Sequence, residues 1–242
     1  MTITLHQFIP LYGLPNASPF CVKLETYLRM AGLKYEVELL RGPPKSSTGK
    51  APYVTIDGQV LCDSGLIISH LEQKHGHPVD GKLTLEQRGQ SLAFQRMMEE
   101  HLYWAMVYAR WVDPAKPAET LSYIQAATGL KGVLGAIVPR ILKSGVKKAL
   151  WNHGLGRHSI EDIWKLAIAD VQSISHWLGN RTFAFGDQPT ICDAVMFSQI
   201  GCILHTPWDF PLKTETAKHR NLLEHTDRML NRYFPELAVN AA

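Results

Sequence analysis

Every segment of this chain that reads as β-strand lies before residue 63, and the remainder reads as helix. Residues 2–9 (TITLHQFI) alternate with the two-residue period of a strand. Ser18-Pro19 then opens a helix: serine caps it, and proline takes the first helical position, where its missing N–H does no harm. That helix carries Val22, Leu24, Tyr27, Leu28 and Met30, and Gly32 is expected to end it. Residues 35–40 read as a second strand, joined to the first by a helix and so suited to a parallel βαβ unit. After a polar, turn-rich stretch over 41–50, two short apolar runs at 53–56 and 59–62 flank Asp57-Gly58, a strong hairpin signal. Asp63-Ser64-Gly65 starts a further helix to about residue 74.

The order is β-α-β, irregular linker, β-β-α, which is the thioredoxin-like order. Residues 76–82 read as a linker, and Thr84-x-x-Gln87 is a capping box that starts a long helix to about residue 112. The stretch 113–117 (DPAKP) breaks it. Helices are expected at 118–128 and 133–150, from a Ser159 cap to 178, from a Thr190 cap to about 205, and at 221–233. The fold class is therefore α+β: a thioredoxin-like domain over 1–78 and an all-helical domain over 84–242.

At 45% hydrophobic and 19% charged residues the chain is expected to fold, and 242 residues suit two domains. A net charge of +3, read as small and evenly spread, argues against nucleic acid and against an anionic membrane surface. No stretch approaches the apolar length of a spanning helix. Cys21, Cys62, Cys192 and Cys202 show neither a CxxC pair nor a metal-ligand spacing, so a reducing cytoplasm is the simplest context. His70, His75 and His77 lack acidic or cysteine partners in a ligand pattern, and no metal is expected.

Three places carry candidate chemistry. Ser18-Pro19-Phe20-Cys21 sits at a helix start, where unpaired N–H groups and the dipole favour an anion. Spacing alone reads Ser18 first as a cap, and secondly as a hydroxyl that can hold a thiolate. Cys21 reads first as a small packed hydrophobe and secondly as a reactive thiol. Ala51-Pro52 precedes a short strand, where a trans edge proline is the ordinary reading and a cis bond the alternative. Asp63-Ser64 is a helix cap that can also hold a carboxylate and an amine. On the long helix, Trp104, Tyr108 and Trp111 form an i, i+4, i+7 stripe, which is core first and the wall of an apolar site second. Glu99-Glu100-His101 reads as a solvated face, and Gly154-x-Gly156-Arg157-His158 as a tight turn.

The blocks NASPFCVKLETYLRMAGLKYE, GKAPYVTIDG and LCDSGLIISHLE resemble the N-terminal domain of the glutathione transferase superfamily. In detail they are most similar to its Fax and metaxin-like branch, as are QRMMEEHLYWAMVYARW and HGLGRHSIEDI. GDQPTICDAVMF resembles the capping box of transferase helical domains, and the resemblance is weakest over 113–150. It implies glutathione as co-substrate, with Pro52 cis, Ala51 pairing with the cysteinyl backbone, and Asp63 and Ser64 on the γ-glutamyl end. Lys50, or in second place Lys45, faces the glycyl carboxylate. Ser18 falls where serine-type transferases hold the thiolate, with Tyr12 and Asn16 in the same loop as rivals. The implied function is attack of a glutathione thiolate on a small apolar electrophile, and the analogy implies a homodimer. Two other roles stand beside it. Metaxin-like members serve as interaction proteins in mitochondrial import, which implies a non-catalytic binding module. Alternatively, Cys21 is the nucleophile of a glutathione-dependent thiol reductase.

Overall fold

A computed structural model describes residues 2–40, 42–113, 115–129 and 132–238. Strand β1 (Ile3–Gln7) leads to α1 (Pro19–Met30) and β2 (Glu36–Leu39), then to β3 (Tyr53–Ile56), β4 (Gln59–Cys62) and α2 (Ser64–Lys74). The sheet order is β2-β1-β3-β4, with β1 and β2 parallel and the other pairs antiparallel. The tight β3–β4 hairpin forms because Asp57 and Gly58 both take positive φ (48° and 85°), as a two-residue primed turn requires. Ile3, Leu5, Val54 and Ile56 point to the same face and pack with Leu24, Leu28, Ile67 and Leu71 of α1 and α2.

The helical part begins with α3 (Leu85–Arg96), started by the Thr84–Gln87 capping box. The expected single helix to residue 112 is in fact interrupted. Residues Met97–Leu102 form a π segment before α4 (Tyr103–Trp111). Beyond it lie α5 (Pro117–Thr128), α6 (Gly132–His153), a 3₁₀ turn, α7 (Ile160–Leu178) and α8 (Ile191–Leu204). The turn between α6 and α7 needs glycine at 156, because a Cβ there would lie 2.8 Å from the Leu150 backbone. Two short helices that the sequence pattern did not suggest, α9 (Pro211–Thr216) and α11 (Pro235–Ala238), flank α10 (Arg220–Tyr233). Helix α8 is buried from Ile191 to Ile203 and forms the axis of the main core.

The linker is not loose. Buried Asp80 accepts a hydrogen bond from the Ile191 N–H (2.9 Å), which ties the connection to the start of α8. Burial raises its carboxyl to about 6, against the opposing effect of that hydrogen bond. The native state thus holds the proton more tightly than the unfolded chain does. Stability from this group is complete at low pH and is lost as pH rises through about 6. Asp80→Asn keeps the acceptor and cannot ionise, so it should gain on the order of 2–3 kcal/mol over the native chain at neutral pH. Urea midpoints of the two proteins, measured from about pH 4.5 to about pH 7.5, should diverge upward. Parallel curves would refute the assignment.

Candidate functional site

The strand register decides which loops meet. His6 of β1 pairs with Tyr53 of β3, and Tyr53 pairs with Cys62 of β4. The end of β1, the start of β3 and the end of β4 therefore share one end of the sheet. From that end leave the loop to Ser18, the Ala51–Pro52 bond and the Asp63–Ser64 helix start. The His6 and Tyr53 rings stack across it (4.3 Å, 8°).

Ser18 is the N-cap of α1, followed by Pro19 at N1. Its side chain makes no capping hydrogen bond, and its hydroxyl instead meets the Cys21 thiol one turn on. The loop that presents it is braced from three sides. Asn16 is fully buried, donating through Nδ2 to the Phe8 carbonyl (2.5 Å) and accepting the Ser18 N–H through Oδ1 (3.0 Å). Arg110 of α4, also buried, donates to the Ala17 carbonyl (2.8 Å), to Thr206 Oγ1 (3.1 Å) and to the Cys202 carbonyl. The Cys202 thiol reaches the same Ala17 carbonyl at 3.8 Å.

Asn16 faces inward as a brace of this loop, and Cys21 takes the packed position that spacing put first. Cys21 is fully buried, and burial pushes its thiol up to about 12, against hydrogen bonds from Ser18 and the Phe8 backbone that pull the other way. A thiol buried and raised in this way is a poor nucleophile, which fits the packed reading of Cys21.

The Ala51–Pro52 bond is cis. Ahead of it, Ser46 Oγ closes the loop by accepting the Lys50 N–H (3.0 Å) and donating to the Lys50 carbonyl (2.7 Å), leaving the Lys50 and Lys45 side chains exposed. Across the same end, Asp63 caps α2 in a left-handed conformation (φ 70°), a costly position for a residue with a Cβ. Oδ1 accepts both the Gly65 and Leu66 N–H groups (2.9 and 3.0 Å), which holds the carboxylate in place beside buried Ser64. Behind this cap lies Lys23 of α1: a Cβ on Gly65 would lie 3.9 Å from its Nζ. Lys23 is itself buried in an ion pair with Glu99 of the π segment, which Arg96 also approaches (3.6 Å). Glu99, expected on a solvated face, is thus a buried partner that ties the helical part to the back of the sheet domain.

Tyr12 and Gly13 (φ 58° and 73°) form the two-residue turn between the paired residues Leu11 and Leu14. His205 Nδ1 donates to the Tyr12 carbonyl (3.0 Å). The Tyr12 side chain lines a cavity of about 390 Å³ with Pro207, Trp208, Ala118, Glu119 and Ser122. The aromatic stripe is elsewhere. Trp104 stacks on His153 of α6, Tyr108 packs edge-on against Trp164 of α7, and Trp111 lies against the core. Tyr108 also lines a smaller cavity of about 220 Å³ beside Lys147, Leu150 and Trp151. The stripe packs helix on helix, while Tyr12 lines the wider cavity.

Sequence pattern alone did not single out Cys62. It ends β4 beside Asp63, and Ser47 Oγ donates to its sulfur at 3.4 Å, the main cause of a thiol held below its ordinary value. The hairpin signal already placed it opposite Tyr53, next to Pro52. Cys21, Cys192 and Cys202 are all fully buried with raised thiols. A thiol reagent should therefore label one cysteine in the native protein and four after unfolding, and Cys62→Ser should abolish the native signal. Two or more fast native thiols would contradict this. Among the described residues no three His, Cys, Asp or Glu side chains converge as a metal site.

Comparison with known proteins fits this geometry. Residues 19–116 match the family model of the glutathione S-transferase N-terminal domain, and residues 167–229 that of the C-terminal domain. Failed axon connections of Drosophila melanogaster is 35% identical over 97% of this chain, which spans 58% of that longer protein. The isoprene-epoxide–glutathione S-transferase of Rhodococcus sp. (strain AD45) is 30% identical, covering 96% of this chain and 99% of the enzyme. Metaxin-1 of Mus musculus is 27% identical over 93% of the chain and 73% of its own length. Among solved structures, the beta-etherase LigF from Sphingobium sp. strain SYK-6 superposes with a TM-score of 0.66 at 16% identity, covering 99% of this chain and 100% of that one. A glutathione S-transferase from Methylobacillus flagellatus KT with glutathione bound superposes with a TM-score of 0.63 at 14% identity, over 97% and 98% of the two chains. The chain thus belongs to the glutathione transferase superfamily, in its Fax and metaxin-like branch.

Proposed function

We propose that the protein is a glutathione-dependent transferase. The observation that carries this is the convergence at one end of the sheet of a cis Ala51–Pro52 bond, a held Asp63 carboxylate and a Ser18 hydroxyl not spent on capping. An extended glutathione fits that end. Its γ-glutamyl amine meets Asp63, its cysteinyl backbone pairs with Ala51, and its glycyl carboxylate meets the exposed Lys50. The thiol then lies at the start of α1, where the Ser18 hydroxyl and the helix dipole both stabilise the thiolate. The second substrate, a small electrophile, occupies the cavity beside Tyr12 and Trp208. Holding both reactants in one geometry and ionising the thiol supply the rate enhancement. A homodimer through α2 and α3 completes this reading, supported by the exposed Leu66, Leu85 and Leu92 on those helices.

Cys62 gives the test an internal reporter, because bound glutathione covers the end of β4. Millimolar glutathione should slow native labelling of Cys62 at least several-fold and yield conjugate with an epoxide probe. No protection and no conjugate would defeat the proposal. Protection without conjugate would favour the second reading, a non-catalytic glutathione-binding module.

A further inference from the structure

We infer that α6 is an interfacial helix that docks on an anionic phospholipid surface. The overall charge of +3 is not evenly spread, contrary to the reading of the sequence as a whole. Between Glu119 and Glu161 the chain has six Lys and Arg and no Asp or Glu, so the remainder carries a net −3. This stretch falls between the two matched family domains, which end at residue 116 and resume at 167.

Helix α6 runs for 22 residues, about 33 Å. Leu150 packs inward, while the outward face exposes Ile137 (47%), Ile141 (65%) and Trp151 (57%). Ile137 and Ile141 are one turn apart, and Trp151 lies fourteen residues after Ile137, within about 40° of it around the helix. Exposed Lys147 and Lys148 stand beside this apolar line, and the Arg157 guanidinium lies over the Trp151 ring at 5.4 Å.

Apolar side chains flanked by cations on one helix face, with tryptophan at one end, suit the boundary between headgroups and acyl chains. Exposed isoleucines point to lipid over nucleic acid, whose backbone offers them no apolar partner. The all-basic charge selects an anionic leaflet, since each lysine near such a surface contributes through the surface potential. The helix lies on the bilayer and does not cross it: among the described residues, no helix is long and apolar enough to span. The inference is independent of glutathione chemistry.

The test mixes the intact protein with vesicles of about three parts phosphatidylcholine to one part phosphatidylserine, or of phosphatidylcholine alone, near physiological salt. The protein should sediment with the anionic vesicles only, and its tryptophan emission should shift blue in a way that Trp151→Phe abolishes. Lys147→Gln with Lys148→Gln should weaken binding on the order of 20-fold. Ile137→Asn with Ile141→Asn should weaken it at least about tenfold while circular dichroism stays native. Failure to sediment at millimolar anionic lipid would overturn the inference. So would binding that neither pair of substitutions weakens, or retention on a DNA duplex without retention on vesicles.

Discussion

Replacing Asp193 with alanine should strongly destabilise this protein. Asp193 is fully buried near the start of α8 and accepts four hydrogen bonds. Oδ1 takes the Ala184 N–H (2.7 Å) and His225 Nε2–H (2.9 Å); Oδ2 takes the Thr190 N–H and Oγ1–H, both at 2.8 Å. One carboxylate thus caps the central helix and fastens both the preceding loop and α10 to it. Alanine leaves four donors without partners in a site water cannot enter, and each such orphan costs about 1–3 kcal/mol. These costs share one site and do not simply add, so the expected loss is about 3–5 kcal/mol. In a chain of this length that lowers the melting temperature on the order of 10 °C. Urea denaturation should show a lower midpoint at unchanged slope. A loss below about 1 kcal/mol would mean the box is redundant with the surrounding packing.

The legible features share a physical cause, which is that they are decided within a few residues. Asp57-Gly58 dictates its turn by φ alone, and Thr84 and Ser159 announce helix starts because their hydroxyls satisfy nearby N–H groups, while at Thr190 the Asp193 carboxylate three residues on does so. The short helices α9 and α11 begin with a proline at the first position, but one local signal over four to six residues, with no apolar period behind it, did not announce a helix. The π segment was not readable. A one-residue insertion leaves the apolar spacing on either side intact, so Trp104, Tyr108 and Trp111 still look like the continuation of α3. What the insertion changes is which face Glu99 presents.

The site divides the same way. Pro52, Asp63 and Ser64 belong to local turns and caps, whereas the groups that hold the loop around Ser18 come from distant elements. Lys23, Glu99 and Arg110 are charged residues that local pattern assigns to the surface, and each is buried because a partner far along the chain satisfies it. Asn16 shows the reverse error: a polar loop residue beside the site looks available to ligand until its side chain is seen filling the backbone gap between Phe8 and Ser18.

Ser18→Ala should remove most of the activity while sparing the fold. The side chain makes no capping bond, so its loss costs α1 little. Asn16 still holds the backbone N–H, and Arg110 still holds the Ala17 carbonyl. The hydroxyl's hydrogen bond to a bound thiolate contributes about 1.5–3 kcal/mol, so its removal should raise the thiol pKa of bound glutathione by about 1–2 units. The sign is fixed: the hydroxyl stabilises the charged form, and without it ionisation is deferred to higher pH. Below the new pKa, kcat/KM should fall about 10- to 100-fold, and the deficit should shrink as pH rises and the thiolate forms unaided. Cys21→Ala removes a buried protonated thiol and should change stability while leaving that pH profile where it was. Ultraviolet titration of the bound thiol, run on both variants and on Tyr12→Phe, separates the roles. If the pKa moves with Tyr12→Phe and not with Ser18→Ala, the thiolate partner is the tyrosine at the tip of the preceding turn. In that case the start of α1 contributes only its dipole.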